Sequence, residues 1–533
     1  MDFDLIPNTA PEAAANSAIS VGDETLSLLA EKAFERLSFT FTETHLKHML
    51  DAAADSRSSE NDRFVCSFLL KNAIIAARGE LPLCQDTGTA QIFAWKDEGV
   101  LSTGDPYAAL ERGAKKTWAD RNLRNSTNIP LSLFEETDPG DNMPAQIALF
   151  AGRGAEKSSG NPAWHFLFCA KGGGSSNKTQ LFQATKALLE PKAFDAFLSR
   201  QVPALGTSAC PPYTVSVVVG GLSPEQNLTA LKLATAGFFD ADSPVPDRQV
   251  FGFSPQRCPD WENRVMEIAQ GCGLGAQFGG RAFASGAVVL RLPRHGASCP
   301  VSIGVSCSAH RNLFGRIDSE GAWLQTTVDN PLSIPGLKEA AALCEKPAES
   351  AVDIDMDKGI PHMQDKLRAL PPGTPVLLTG TLLVARDAAH ARWRALIRSG
   401  EPLPSYIGLH PILYAGPAKT PEGKPTGSFG PTTAGRMDEY AEELMSRGAA
   451  LVTLAKGNRS ETWRSACRQW GGTYLGTVGG GAALLAEEHI RSSEIVDYPE
   501  LGMEAVRKIV VEKMPAFVLI NDSGEDFYAP RPT

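Results

Sequence analysis

The first half of the chain alternates between helical and strand-like hydrophobic patterns. Apolar residues recur at helical spacing from Glu24 onward, with Leu26, Leu29, Ala33 and Phe34 on one side. Further helices are predicted over residues 43–55, 58–78 and 105–120. Short apolar runs bounded by turn residues predict strands over residues 164–169, 214–220, 287–292 and 301–305. We therefore predict a large mixed α/β domain over residues 24–344, preceded by a loosely ordered segment over residues 1–23.

A change of composition separates this region from the rest. Residues 345–374 are rich in charged residues and turn formers and poor in apolar ones, which predicts an interdomain linker. From Pro375 strands alternate regularly with helices. The strands are predicted over residues 376–385, 412–415, 450–455, 473–478 and 516–520, and the helices over residues 387–399, 436–447 and 459–470. The fold class is therefore α/β and α+β, with a smaller β/α/β domain over residues 375–533.

Composition narrows the possible classes of function. The chain has 533 residues, a net charge of −10 and 43% hydrophobic residues, so it has enough apolar material for several cores. No apolar run reaches about 18 residues, which excludes a membrane-spanning helix, and no basic stripe indicates nucleic-acid binding. The N-terminus has no pattern of a targeting signal, so we expect a cytoplasmic protein. An anionic substrate would need arginines and lysines concentrated in one cleft.

Three of the ten cysteines stand out because they lie in loops beside polar or glycine residues: Cys84, Cys210 and Cys307. There is no Cys-x-x-Cys pair, which argues against zinc fingers and thioredoxin-like chemistry. Three thiolates suit a soft iron–sulfur cluster and would leave one iron of a four-iron cube without a protein ligand. Cys299 competes with Cys307. One predicted strand separates the two, so both cannot face one cluster, and we favour Cys307.

Several polar residues lie at predicted loops and strand ends, where ligands bind in α/β domains. Asp86 and the Thr432–Thr433 pair are candidates for acid/base chemistry, although turn formation or helix capping would also explain them. The candidate cations are Arg124, Arg386, Arg436 and Lys456. Each is individually more typical of a solvated surface, but paired arginines are what a dicarboxylate requires.

Two glycine-rich turns do not match the known phosphate-binding loops. The turn at residues 171–179 lacks the spacing of a nucleoside triphosphate loop, and Gly479–Gly481 lacks the dinucleotide pattern. The backbone amides around Gly173 are nevertheless suited to hold a carboxylate.

The motifs taken together resemble class I fumarate hydratases. The resemblance rests on Leu-Cys-Gln-Asp-Thr-Gly at residues 83–88, Gly-Pro-Thr-Thr-Ala-Gly-Arg-Met-Asp at residues 430–438, and further segments at residues 171–179, 294–298, 304–308, 416–423, 455–460 and 498–504. It spans roughly residues 60–528 in the same order. His310 and Gly481 depart from the residues common in that family, which bears on fine specificity only.

The resemblance implies a homodimer with a swivelling C-terminal domain, which interconverts fumarate and (S)-malate. It implies that Cys84, Cys210 and Cys307 hold a [4Fe–4S] cluster and that Asp86 and Thr432 form the acid/base pair. The residues implied in substrate binding are Gln85, Arg124, Gly173, His295, Arg386, Thr433, Arg436 and Lys456.

Three alternatives remain open from the sequence. The first is a related iron–sulfur hydro-lyase that acts on L-tartrate or mesaconate, although such tartrate enzymes commonly carry the two domains on separate chains. The second is a cluster-based sensor, which would need no arginine clamp. The third is a binding protein without a cluster.

Overall fold

The computed structural model describes residues 1–13, 18–151, 161–245, 248–345 and 350–529. Three large sheets organise this part of the chain. Two belong to the N-terminal region and one to the C-terminal region, and helices cover their faces. The mixed α/β fold class predicted from the sequence is confirmed.

The first large sheet has six strands. Its order is Phe3–Leu5, Gly321–Gln325, Asn312–Asp318, Trp164–Lys171, Thr89–Lys96 and Gln146–Ala151. The helices Asp23–Phe39 and Pro106–Asp120 pack on each other and against this sheet. Phe34 joins the layers, because its ring contacts the rings of Trp118 and Phe168 at centroid distances of 5.4 and 5.8 Å. Such edge-to-face ring contacts stabilise the packing of the two helices on the sheet.

The second large sheet has five strands and is covered on both faces. Its order is Gln180–Ala184, Cys299–Ser306, Tyr213–Gly221, Ala284–Arg294 and Gln256–Arg257. The helices that flank it are Pro191–Ala204, Pro224–Thr235 and Pro259–Gly271. Its central strands are almost continuously apolar, as expected for strands buried on both faces. Cys299 begins its strand within this core and is fully buried.

The C-terminal sheet has seven strands and closes on itself. Its order is Val352–Asp355, Pro375–Val384, Ile412–Leu413, Val452–Ala455, Thr473–Gly476, Val506–Ile520 and Ile490–Asp497. The long strand Val506–Ile520 pairs with both Pro375–Val384 and Thr473–Gly476. This double pairing closes five of the strands into a ring. Val352–Asp355 and Ile490–Asp497 each pair on one side only and extend the ring. The helices of this region are Ile360–Arg368, Asp387–Ser399, Ala441–Met445, Glu461–Trp470 and Ala482–Leu484.

Smaller elements complete the described chain. One short sheet consists of Glu12–Ala13, Ile19–Val21 and Val100–Ser102. A second consists of Ile129–Pro130 and Glu136–Thr137. The remaining α-helices are Glu43–Ala54, Glu60–Ala76, Gly173–Ser176 and Leu337–Ala342. Short 3-10 or π-helical segments cover Lys186–Leu189, Pro331–Ser333, Leu343–Glu345, Met356–Lys358, Ala434–Tyr440, Leu485–His489 and Pro499–Glu504. Among the described helices, none combines the length and apolar character needed to cross a bilayer.

The structure differs from the sequence-based expectations in three places. The segment over residues 1–23, expected to be loosely ordered, contains the strand Phe3–Leu5, which extends the six-stranded sheet. The linker expected over residues 345–374 contains the strand Val352–Asp355, which pairs with Pro375–Val384. The helix predicted over residues 436–447 is mostly a 3-10 helix, Ala434–Tyr440, followed by one short α-helix.

Candidate active site

The C-terminal ends of the parallel strands in the seven-stranded sheet form one rim of the site. Arg386 follows the strand Pro375–Val384, and Lys456 follows Val452–Ala455 directly. The loop of Thr432 and Thr433 lies against the same rim. The Thr432 amide donates to Tyr414 O at 2.7 Å, and the Lys456 amide donates to Thr432 O at 3.1 Å. The sheet thus places these side chains together although 70 residues separate Arg386 from Lys456.

The loop at residues 83–88 contacts this rim from the N-terminal region. The Gln85 side-chain amide donates to Pro431 O at 3.1 Å, and the Cys84 thiol donates to Gln85 Oε1 at 3.4 Å. Gly430 has no room for a side chain, because an added Cβ would collide with Gln85 Oε1. This close approach brings the two most distinctive motifs of the sequence into direct contact.

Asp86 is held by a set of donors that stabilise its ionised form. Its carboxylate accepts a hydrogen bond from the Gly173 amide at 2.9 Å and pairs with Arg124 Nη2 at 3.0 Å. It also accepts from the Gly88 amide at 3.2 Å and the Ser126 hydroxyl at 3.4 Å. Burial opposes ionisation, but the charges of Arg124 and Arg311 and the hydrogen bond from the Gly173 amide outweigh it, so the pKa of Asp86 is well below its usual range. Asp86 is therefore a carboxylate at neutral pH.

Cys210 and Cys307 lie beside Lys456. The Lys456 ammonium donates to Cys210 Sγ at 2.9 Å, and the amide of Ser308, next to Cys307, donates to Cys210 O at 3.0 Å. Cys210 adopts a left-handed backbone conformation with φ of 65°, which is unusual for a residue other than glycine. Such conformations cluster at functional sites.

The charges of the site act on its thiols. Burial raises the pKa of Cys84 and raises that of Cys210 to about 11, whereas Lys456 opposes both shifts. Conversely, burial opposes protonation of Lys456, but the nearby thiolates outweigh it and raise the pKa of the ammonium. Metal binding requires thiolates, so the lysine supplies part of the stabilisation that buried thiolate ligands need.

The chemistry of the donor set is compatible with an iron–sulfur cofactor, because thiolates are the ligands that such clusters take. Among the described residues, no group of three His, Cys, Asp or Glu side chains could hold a metal ion. Two glycines leave space beside the thiols. A Cβ at Gly479 would collide with Cys210 Sγ, and one at Gly480 would lie 2.7 Å from Ser308 Oγ, a buried hydroxyl without a hydrogen-bond partner in the described chain.

Like Arg124, which pairs with Asp86, the other two expected arginines are paired with carboxylates. Arg386 is buried and pairs closely with Glu504, and Arg436 pairs closely with Asp387 through Nη2 and at 2.8 Å through Nε. Arg436 Nη1 also donates to Thr432 Oγ1 at 3.3 Å. These ion pairs fix the orientations of the guanidinium groups. The Arg436 contact places a positively charged group beside the Thr432 hydroxyl.

His295 lies away from the other candidate residues of the same chain. It is exposed in the turn that precedes the strand Cys299–Ser306, whereas Cys307 follows that strand. Eight strand residues span roughly 26 Å at about 3.3 Å per residue. The same strand separates Cys299, its first residue, from Cys307, which follows its last residue.

Arg311 was missed by the sequence reasoning. Its side chain is only 4% exposed and makes no hydrogen bond or ion pair with any described residue, and its Nε is buried. Its charge lowers the pKa of both Asp86 and Cys84. A buried, unpaired guanidinium is costly unless it faces an anion. The only sequence signal was its position four residues after Cys307.

Two family models cover nearly the whole chain. The model described as Fumarate hydratase (Fumerase) matches residues 27–316, and the one described as Fumarase C-terminus matches residues 326–530. The boundary between them lies ahead of the strand Val352–Asp355, so the C-terminal family region includes much of the segment expected to be a linker.

Relatives extend over the same length. Fumarate hydratase 2 of Leishmania major is 45% identical over 519 residues, which cover 97% of this chain and 89% of the relative. Fumarate hydratase class I, aerobic, of Escherichia coli (strain K12) is 46% identical over 510 residues, covering 96% and 90%. A putative L(+)-tartrate dehydratase subunit beta of Methanocaldococcus jannaschii is 32% identical over 166 residues, only 30% of this chain and 85% of that subunit. With matches that run through both halves of the fold and through every loop of the site, the chain belongs to the class I fumarate hydratase family, whose named members are hydro-lyases.

Proposed function

We propose that this protein catalyses the reversible hydration of fumarate to (S)-malate. The observation that carries the proposal is the placement of the Asp86 carboxylate between Arg124 and the Gly173 amide, beside three converging cysteine loops. The full-length similarity to proteins named fumarate hydratase supports the same substrate. Arg124, Arg311 and Lys456, whose charges act on this carboxylate, also supply the local positive charge that a dianion needs in a chain of net charge −10.

The cysteines supply the cofactor site in this proposal. Cys84, Cys210 and Cys307 would hold a [4Fe–4S] cluster, and its iron without a protein ligand would supply Lewis acidity toward the substrate oxygens. Lys456 donates to Cys210 Sγ and offsets negative charge there. The glycines at 479 and 480 keep side chains out of the space beside the thiols.

The remaining residues bind and orient the dicarboxylate. Arg124 and Arg386 both lie beside Gly416: Arg124 Nη1 donates to its carbonyl at 3.4 Å, and Arg386 Nη1 lies 3.1 Å from where its Cβ would be. We assign one substrate carboxylate to this pair. Arg436 and Lys456 take the other, with Gln85, Thr433 and the Gly173 amide as further donors. Guanidinium groups that neighbouring carboxylates hold in place reorganise little on binding, which favours a reactive orientation.

Asp86 and Thr432 form the proposed acid/base pair. Asp86 is ionised at neutral pH and can accept the C3 proton of malate in the dehydration direction. The Thr432 hydroxyl accepts a hydrogen bond from Arg436, and that positive charge favours loss of the hydroxyl proton. In the dehydration direction the Thr432 proton goes to the leaving hydroxyl, which departs as water. In the hydration direction Asp86 returns its proton to C3, and the deprotonated Thr432 oxygen takes one proton from the water that adds.

We also propose that the protein acts as a homodimer. His295 is exposed at the far end of the strand from Cys307 in its own chain. Its proposed role in substrate binding therefore requires that it reach the site of a second copy. A His295→Gln variant whose activity is rescued by mixing with a variant impaired at Asp86 would support a shared site. Absence of rescue under subunit exchange would contradict it.

A substrate comparison tests the proposed reaction. The protein is purified and reconstituted with iron and sulfide without oxygen, and turnover is measured for fumarate, mesaconate and L-tartrate. We expect kcat/KM for fumarate to exceed the other two by at least about 100-fold, or about 2.7 kcal/mol of discrimination. A preference for tartrate or mesaconate would change the assigned substrate but keep the assigned reaction class. No turnover of any of the three by a protein that holds its cluster would refute the proposal.

A further inference from the structure

A pocket of about 250 Å³ adjoins the site on the side of Arg124. Its walls include Arg124, Pro417, Lys419, Met503 and Arg507. Pro417 and Lys419 belong to the Gly-Pro-Ala-Lys motif at residues 416–419, which has no role in the proposed chemistry. Asp138, the acidic residue of the lining, is engaged by Asn125 at 3.4 Å and by the Gly140 amide at 2.7 Å. Asp138 is the one carboxylate in the lining against the three cations Arg124, Lys419 and Arg507, so the lining carries a net positive charge.

Two of its cations lack a neutralising partner. Arg507 makes no side-chain hydrogen bond or ion pair with any described residue, and its Nε is buried. Burial alone lowers its pKa, since no carboxylate nearby offsets the desolvation. Lys419 is exposed and donates only to Trp118 O, at 3.1 Å. Most other arginines near the site have a carboxylate partner, Arg386 with Glu504 among them. Uncompensated charge at a half-buried position is expensive unless an anion visits it.

The pocket connects directly with the substrate clamp. Arg124 lines it and also pairs with Asp86. Gly416 immediately precedes the lining residue Pro417, and a Cβ there would lie 3.1 Å from both Arg386 Nη1 and Met503 O. On the strand Val506–Ile520, Arg507 pairs in register with Val384, two residues before Arg386. The pocket therefore contains one cation of the site, Arg124, and adjoins the segment that carries Arg386.

We propose that this pocket, which we call the outer anion pocket, binds the dicarboxylate substrate on its way to and from the active site through Arg507 and Lys419. Its ligand class is a small dianion that carries two carboxylates, and the inference rests on the proposed function. A chain of net charge −10 repels an approaching dianion, whereas the cations of the pocket attract it. Arg124 then takes over one carboxylate as the ligand moves inward.

The test compares the wild type with an Arg507→Gln/Lys419→Gln double variant. We expect kcat/KM for fumarate to fall about tenfold at low ionic strength, with kcat within about twofold, since approach and release of the anion are affected more than chemistry. The decrease should shrink as salt is added, because screening removes the attraction in both proteins. Arg507→Lys should restore most of the loss.

The matched control is Lys338→Gln, which removes one charge from an exposed position on the helix Leu337–Ala342 without a described ion-pair partner. It should leave kcat/KM unchanged. An equal loss per charge removed in this control would show a global charge effect and overturn the outer anion pocket. So would a double variant that retains wild-type kcat/KM at low ionic strength, or one whose thermal midpoint and kcat fall together.

Succinate gives a readout that does not depend on turnover, because it has no double bond to hydrate. Its dissociation constant, measured by calorimetry, should rise about tenfold in the double variant and remain unchanged in Lys338→Gln. An unchanged value overturns the outer anion pocket. If succinate binds about tenfold more weakly to the double variant than to the wild type, but the wild type does not hydrate fumarate, the proposed function is refuted and the outer anion pocket is retained.

Discussion

Replacing Asp86 by asparagine tests the proposed acid/base chemistry with little change of shape. The carboxylate accepts from Arg124 at 3.0 Å, from the Gly173 amide at 2.9 Å and from the Gly88 amide at 3.2 Å. An asparagine has one oxygen for these donors, and its own NH₂ group would face at least one of them. Each charge-assisted hydrogen bond contributes about 1.5–3 kcal/mol, so Arg124 would lose the interaction that orients it.

The expected loss of rate combines this disorder with the missing proton acceptor. Positioned acid/base groups contribute about 10²–10⁴-fold, which is about 2.7–5.5 kcal/mol on the barrier. We expect kcat to fall within that range while the cluster absorbance remains. The assay follows fumarate hydration without oxygen and, separately, exchange of the malate C3 proton with deuterated water, which should slow in parallel.

Ser126→Ala is the matched control, because the serine hydroxyl contacts the same carboxylate at 3.4 Å and carries no charge. It should change kcat by less than about threefold. An Asp86→Asn enzyme that retained more than a tenth of wild-type kcat with a full cluster would refute the assignment of Asp86.

Three further predictions concern the cluster and the stability of the fold. Cys84→Ser should lose both the brown colour and the activity, whereas Cys299→Ser should keep its visible spectrum; a colourless Cys299→Ser protein would reverse the choice of ligand. Gly479→Ala should reduce the iron content of the reconstituted protein, because its methyl group would collide with Cys210 Sγ; normal iron and sulfide analysis would contradict this. Burial lowers the pKa of His390 from 6.5 to about 4, so the unfolded chain takes up a proton first and stability falls as pH drops from 6.5 toward 4. Between pH 6.5 and 5 this one group lowers the free energy of unfolding by about 2 kcal/mol. In denaturant titrations over this pH range, His390→Gln should therefore lose less stability than the wild type. Equal losses in the two proteins would refute His390 as the cause.

The sequence predicted the C-terminal strands and helices well where the hydrophobic period was regular. It missed most of the strand Val506–Ile520, because charged residues and Pro515 interrupt its apolar positions. The backbone at Lys513 has φ of 49° within a local irregularity of the pairing with Pro375–Val384. Pairing with three other strands stabilises this segment, and that contribution is not visible in a local sequence window.

The same distinction applies to the site. The separation of Cys299 from Cys307 was predictable because it depends only on the length of one strand. The contact between Gln85 and Pro431 was not, since it joins loops 346 residues apart. Arg311 carries no distinguishing pattern in the sequence, and only its burial without a partner identifies it. Motif resemblance supplied the candidate residues, and the tertiary contacts then separated His295 from the others.

The most direct test measures the visible spectrum and fumarate hydration on one sample purified without oxygen. A brown protein that hydrates fumarate and then loses colour and activity together in air is the predicted result, because the proposed mechanism needs an iron that no thiolate protects. A colourless protein that hydrates fumarate, or one whose activity survives air and chelators unchanged, would contradict the proposed iron–sulfur mechanism.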